Sequence, residues 1–218
     1  MQLTAKIISW FFLPFITPLY GLWITLYLPA EEFSVETKSL YLLPPQIKKV
    51  VIGIFFIFAV LAPAISYYTL YRRKLISSIE MDDKEERNAP LFIMFAYCMV
   101  MFTLFWYKDP QHLLPSYVNS LPLTGAVVAL SFALINNWTK ISLHAGGAGI
   151  LVGYLVAFQA NHVQSSVEPV IISVLLSGLI MSSRYILNKH TLMQLNIGWA
   201  VAAVFSFLIN YFYPLFIK

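Results

Sequence analysis

Seven apolar runs, each close to the length of a membrane crossing, take up most of this 218-residue chain. They lie near residues 7–28, 49–71, 90–107, 118–137, 143–160, 168–188 and 194–216. An α-helix rises about 1.5 Å per residue, so roughly 20 residues cross about 30 Å of hydrocarbon. A bilayer interior accepts only backbone whose polar groups are satisfied internally, which leaves such a series of runs one architecture, a helical bundle. Charged residues make up 11% of the chain and hydrophobic ones 59%. A soluble domain carries about 25% charged residues, so this chain has too few to cover a globular surface. We therefore expect an all-α, polytopic membrane bundle of six to seven transmembrane helices. The number turns on the first run, where Pro14 and Pro18 predict a kinked or partly interfacial segment. That run is also too long for the apolar core of a signal peptide and reads as an anchor.

The charge pattern excludes several classes. The net charge is +4, and the basic residues fall in short clusters between apolar runs. They form no stripe of the kind that binds nucleic acid, so no nucleic-acid partner is expected. The single cysteine, Cys98, lies inside an apolar run and excludes an intramolecular disulfide framework. No His, Asp and Glu cluster has metal-ligand spacing, so neither a metal nor another cofactor is expected. The longest polar stretch is Arg72–Arg87, and a second runs from Glu31 to Lys49.

Three polar islands stand at ends of apolar runs: Lys84–Pro90, Lys140–His144, and Ser183-Arg184 followed by His190. With seven crossings, the loops after the second, fourth and sixth lie on one membrane face, and these loops carry the islands. That face holds nine Lys and Arg residues against five on the other. The positive-inside rule then places the islands on the cytoplasmic side, with the Arg72-Arg73-Lys74 triplet as its main support. His112 and His162 fall on the opposite face and read as solvated loop residues. The small-residue stretch from Ala145, with Gly149 and Gly153 one helical turn apart, reads as a seam for close helix packing.

The islands have the makings of a phosphate site. Arg87 and Arg184 offer bidentate forks for phosphate oxygens, and Lys84 and Lys140 add point charges. Ser142 stands where the fifth run begins, suited either to capping that helix or to donating beside its first N–H groups. His144 and His190 titrate near neutrality and suit the roles of nucleophile and acid.

In order and spread these residues resemble the three motifs of the type 2 phosphatidic acid phosphatase (PAP2) superfamily, over about Lys84 to Trp199. Ser183-Arg184-x5-His190 matches its third motif. Ser142-x-His144 is similar to the core of the second, and Lys84 to Pro90 to the first. The resemblance implies an N-terminal transmembrane helix pair over 1–75 and a PAP2-like catalytic domain over 76–218. It implies a metal-independent phosphatase acting on a lipid phosphate such as phosphatidic acid. His190 would form a phosphohistidine, and His144 would protonate the leaving group. Lys84, Arg87, Ser142 and Arg184 would bind the phosphoryl group. Some positions depart from the pattern. Leu143 replaces a glycine, Ile141 replaces a proline, and Lys84 and Arg87 stand closer than in the family. The family's aspartate one turn after the nucleophile is Gln194, whose Oε1 is expected to accept the His190 Nδ1–H and orient the ring without adding charge. The alternative is a catalytically weakened relative that binds an anionic lipid headgroup.

Overall fold

Six of the seven apolar runs form helices long and apolar enough to cross a membrane, which makes this a multi-pass membrane protein. The computed structural model describes residues 1–32, 38–78, 80–81, 83–163 and 165–216. The first membrane-length helix, Pro45–Arg72, has three parts: α3 (Pro45–Phe55), a π-helical turn (Phe56–Leu61) and α4 (Ala62–Arg72). The wide turn lies just before Pro63, whose missing N–H and ring bulk interrupt a regular helical ladder. The other five are α5 (Asn88–Lys108), α6 (Tyr117–Ile135), α7 (Leu143–Asn161), α8 (Glu168–Ile186) and α9 (Leu192–Phe216).

The first run is not a continuous crossing. It divides into α1 (Gln2–Phe11) and α2 (Thr17–Tyr27), with Pro14 in the break and Pro18 in the first turn of α2. Both pieces pack on the rest of the bundle, α1 along α8 and α2 along α7. Contacts follow α7 from one end to the other. Ser9 meets His144, Pro14 faces Gly147, and Thr25 shares a 2.7 Å hydrogen bond with Tyr154. Beyond α2, the chain pairs Glu31 with Val163 and Glu32 with His162 in a two-residue antiparallel bridge. Lys48 fixes the C-terminus of α2, donating to the Leu26 carbonyl at 2.6 Å and the Tyr41 carbonyl at 2.7 Å.

α7 is the axis of the bundle: 72% of its apolar window is buried, against 28% for α8. Its glycines explain this. A Cβ at Gly149 would meet the Trp199 carbonyl, one at Gly153 the Ala203 carbonyl, and one at Gly146 the Phe132 ring. Bare glycine surface thus lets α9 come to backbone distance and makes room for the Phe132 ring of α6, and such packing, not hydrophobic transfer, drives helix association. A buried polar knot joins the same helices. Asn210 of α9 accepts from Ser120 at 2.7 Å and donates to Thr124 at 3.0 Å, both on α6. His162 departs from its expected solvated state. It is buried, its ring lies 3.9 Å from the Phe158 ring, and Nδ1 donates to the Phe158 carbonyl at 2.8 Å.

Gly153→Ala should therefore cost about 1–3 kcal/mol by overpacking. Gly178 has open space where a Cβ would go, so Gly178→Ala should be neutral or stabilise by up to about 1 kcal/mol. Thermal unfolding of the two variants in one detergent measures the contrast.

Candidate anion-binding site

The three islands meet at one end of the bundle, and backbone carbonyls provide much of the joining. Island one lies just before α5, where a single 3-10 turn (Glu85–Arg87) leads into the helix. Arg87 is 3% exposed. Its Nε donates to the Met81 carbonyl at 2.9 Å and its Nη1 to the Ile141 carbonyl. Asn136 reinforces the junction, donating to the Lys84 carbonyl at 2.7 Å and to Asn88 Oδ1 at 2.9 Å. Island two therefore rests directly on island one. Island three rests on island two because Gly198, in the second turn of α9, faces the Ser142 backbone, where a Cβ would come within 2.9 Å of the Ser142 oxygen.

Both histidines lie in this cluster. His190, at the turn between α8 and α9, is 7% exposed. Burial pushes its imidazole down to about 3, and the positive charges of Arg87, Arg184 and Lys140 act in the same direction. His144 is in the first turn of α7, within electrostatic range of Arg184, His190 and Arg87. Its Nε2 lies 3.2 Å from the Ser9 carbonyl of α1. A carbonyl only accepts, so Nε2 carries the proton and Nδ1 is the ring nitrogen left for a ligand. Arg184, near the end of α8, is 4% exposed, and its Nη2 lies 3.8 Å from Glu80 Oε2. Because α7 begins here, the positive end of its dipole adds to the field.

Five of the residues singled out in the sequence thus share one locality: Arg87, Lys140, His144, Arg184 and His190. Three others are held in different bonds. Lys84 Nζ donates to the Asn137 carbonyl at 3.1 Å. Ser142 is fully buried and its hydroxyl accepts from Ala145 N at 3.4 Å, capping α7. Gln194 Oε1 accepts from Thr191 N at 3.1 Å, while Thr191 Oγ1 accepts from Gln194 N at 3.3 Å. This is a reciprocal capping box that starts α9. The Gln194 side chain also interacts with the His190 ring through a hydrogen bond that favours its protonated form, a loose contact, since ring Nδ1 is buried and has no partner of good geometry.

Three participants went unnoticed in the sequence. Lys189 precedes His190, and its Nζ lies 3.1 Å from Glu80 Oε2. Glu80 lies in the long polar stretch before α5 and carried no motif. The Ser9 carbonyl is a backbone group and has no residue signature. Among the described residues, no group of three or more His, Cys, Asp and Glu side chains is arranged to hold a metal ion. Comparison with protein-family models, curated proteins and solved structures finds no match for this chain.

The His190 environment makes a titration prediction. Its folded value is depressed, so its contribution to stability is complete above the unfolded value of 6.5 and is lost as pH falls toward 3. In ¹⁵N-histidine NMR, His190 should stay neutral at pH 5. Arg184→Leu should raise its value by removing a nearby positive charge, while burial still holds it below the ordinary range.

Proposed function

We propose that this protein is a PAP2-like membrane phosphatase or phosphotransferase, metal-independent, acting on the phosphomonoester or pyrophosphate of a lipid. One observation carries the proposal: two histidines and the cations of three distant segments gather at one end of a membrane bundle. Support also comes from the order of the motif-like residues along the chain. The lipid as substrate class follows from the site's location, where the spanning helices end.

On this reading Arg87, Arg184 and Lys140 hold the phosphoryl oxygens and offset the charge that builds up during transfer. The unprotonated nitrogen of His190 attacks phosphorus in line. A P–N bond forms as the P–O bond to the lipid breaks. His144, protonated on both ring nitrogens once the phosphate's negative charge is bound beside it, delivers the Nδ1 proton to the departing oxygen while Nε2–H stays on the Ser9 carbonyl. In the second half, His144 takes a proton from water, water attacks phosphorus, and His190 leaves. The depressed affinity of His190 for a proton keeps its lone pair available at neutral pH.

A second reading rests on a different observation. Gln194 is shared between the helix cap and the His190 ring, so the ring has a loose, uncharged partner where a charged one would hold such a nucleophile. The site would then bind an anionic headgroup without turnover.

Phosphate release from phosphatidic acid, phosphatidylglycerol phosphate and an isoprenyl pyrophosphate tests the first reading. His190→Ala should remove release, and His144→Ala should reduce it by about 10²–10⁴-fold. Release from none of the three, or release indifferent to His190→Ala, would sink it in favour of headgroup binding.

The positive-inside rule puts the site on the cytoplasmic face. Lys74→Cys, at an exposed position in the loop after α4, should accordingly react with a membrane-impermeant maleimide only after cells are opened. Cys98 is buried and should stay silent. Labelling of intact cells would reverse the orientation.

A further inference from the structure

The anion site contains an anion of the protein's own. The Glu80 carboxylate bridges two cations of island three, 3.8 Å from Arg184 Nη2 and 3.1 Å from Lys189 Nζ, through a single oxygen. Glu80 lies in the connection between α4 and α5, and this connection is fastened over the site. Ile76 and Met81 are buried, and the Met81 carbonyl takes the Arg87 Nε–H. Farther back, Glu86 accepts from both Ser77 N at 2.7 Å and Ser77 Oγ at 3.0 Å. Lys74 and Met81 both have positive φ, 59° and 51°, which turns the chain sharply on either side of Glu80. The guanidinium groups of Arg87 and Arg184 thus both meet oxygens of one connection: a carbonyl on Arg87, a carboxylate on Arg184.

These contacts differ in character. Arg184 is deeply buried and Lys189 partly so, whereas the Glu80 side chain is 51% exposed. An ion pair with one half-exposed partner is weak and easily exchanged. The cations are less exposed, Arg184 near the end of α8 and Lys189 in the turn that follows it. A carboxylate on such a cation pair, reachable from solvent, is chemically a placeholder for a stronger oxyanion.

We propose that Lys189 is a further phosphate-binding residue and that Glu80 is a displaceable internal anion, which leaves Arg184 and Lys189 when a phosphoryl group enters. The inference rests on the reading of this end of the bundle as a phosphoryl site. Glu80 sets a threshold for occupancy: it screens the buried cations when the site is empty and competes with the incoming dianion. Removing its charge should tighten anion binding, opposite to the effect of removing an ordinary ligand.

The test is calorimetric titration of the full-length protein in detergent with two probes, inorganic phosphate and dihexanoyl phosphatidic acid. Glu80→Gln should lower Kd by about two- to fivefold, within the range for an exchangeable ion pair. Lys189→Ala, made in the Glu80→Gln background, should weaken binding by a similar factor. Tightening with the lipid probe alone would support the proposal and assign the anion to a headgroup. Tightening with both would support it for the phosphoryl group itself. If Glu80→Gln leaves Kd unchanged or raises it while Arg184→Leu still abolishes binding, Glu80 merely organises the cations. The proposal then fails, and the phosphoryl site stands. Unaltered binding in the Lys189→Ala background would remove Lys189 from the site. If neither the wild type nor Glu80→Gln binds either probe, the phosphoryl reading falls and the inference falls with it.

Discussion

Burial of two guanidinium groups at one end of an apolar bundle is the constraint on which this architecture depends. Arg87 and Arg184 are each less than 5% exposed. An arginine cannot shed its proton to escape such a place, so its charge must be met by oxygen. Backbone carbonyls of Met81 and Ile141 meet Arg87, and Glu80 meets Arg184. Those acceptors come from the α4–α5 connection and from the α6–α7 loop. Satisfying two charges therefore draws separate segments together, and the convergence of the islands follows from the electrostatics of burial as much as from helix packing.

Helix packing makes the drawing-together possible. α7 is buried along most of its length because glycine lets α9 approach to backbone distance at Gly149 and Gly153. The same close approach continues at Gly198, where α9 meets the Ser142 backbone. His190 lies just before α9 and His144 in the first turn of α7. Each ring is thus carried by one member of the tightest helix pair. The capping box at Thr191 and Gln194 fixes where α9 starts, and with it the position of His190. α1 closes the arrangement by setting a carbonyl against His144.

Much of this was legible in the sequence. Hydropathy alone marked the six long helices, since run length against bilayer thickness leaves little freedom. The glycine stripe of α7 announced close packing, and alternation of crossings brought the islands to one end. What the sequence hid has physical causes. Prolines in the first run signalled a break but did not say that both pieces would stay packed against α7 and α8. Residue type carries no direction, so the sequence did not reveal that the Lys84 ammonium bonds the Asn137 carbonyl. Gln194 stands one turn after His190, and Thr191-x-x-Gln194 is also a capping-box spacing open to view in the sequence. Glu80 and the Ser9 carbonyl act through long-range placement, and local pattern does not encode that. His162 was misjudged because its burial depends on Phe158, one turn earlier on α7.

The two histidines occupy unlike surroundings, and this bears on the chemistry proposed for them. His144 has an acceptor for one ring nitrogen, which fixes its tautomer and leaves the other nitrogen for a ligand. His190 has the loose, uncharged contact of Gln194 and three cations nearby, which together with burial make a protonated ring unfavourable. On the proposed mechanism, a neutral residue at 194 looks at first like weak support for a nucleophile. Yet cations that disfavour a proton would favour a phosphoryl group on the same ring, because the group brings negative charge within range of Arg87, Arg184 and Lys140. An aspartate at position 194 would pull the other way, stabilising the imidazolium and opposing the phosphoryl anion nearby. On the proposed mechanism, the choice between proton and phosphate on His190 would be made by the surrounding cations.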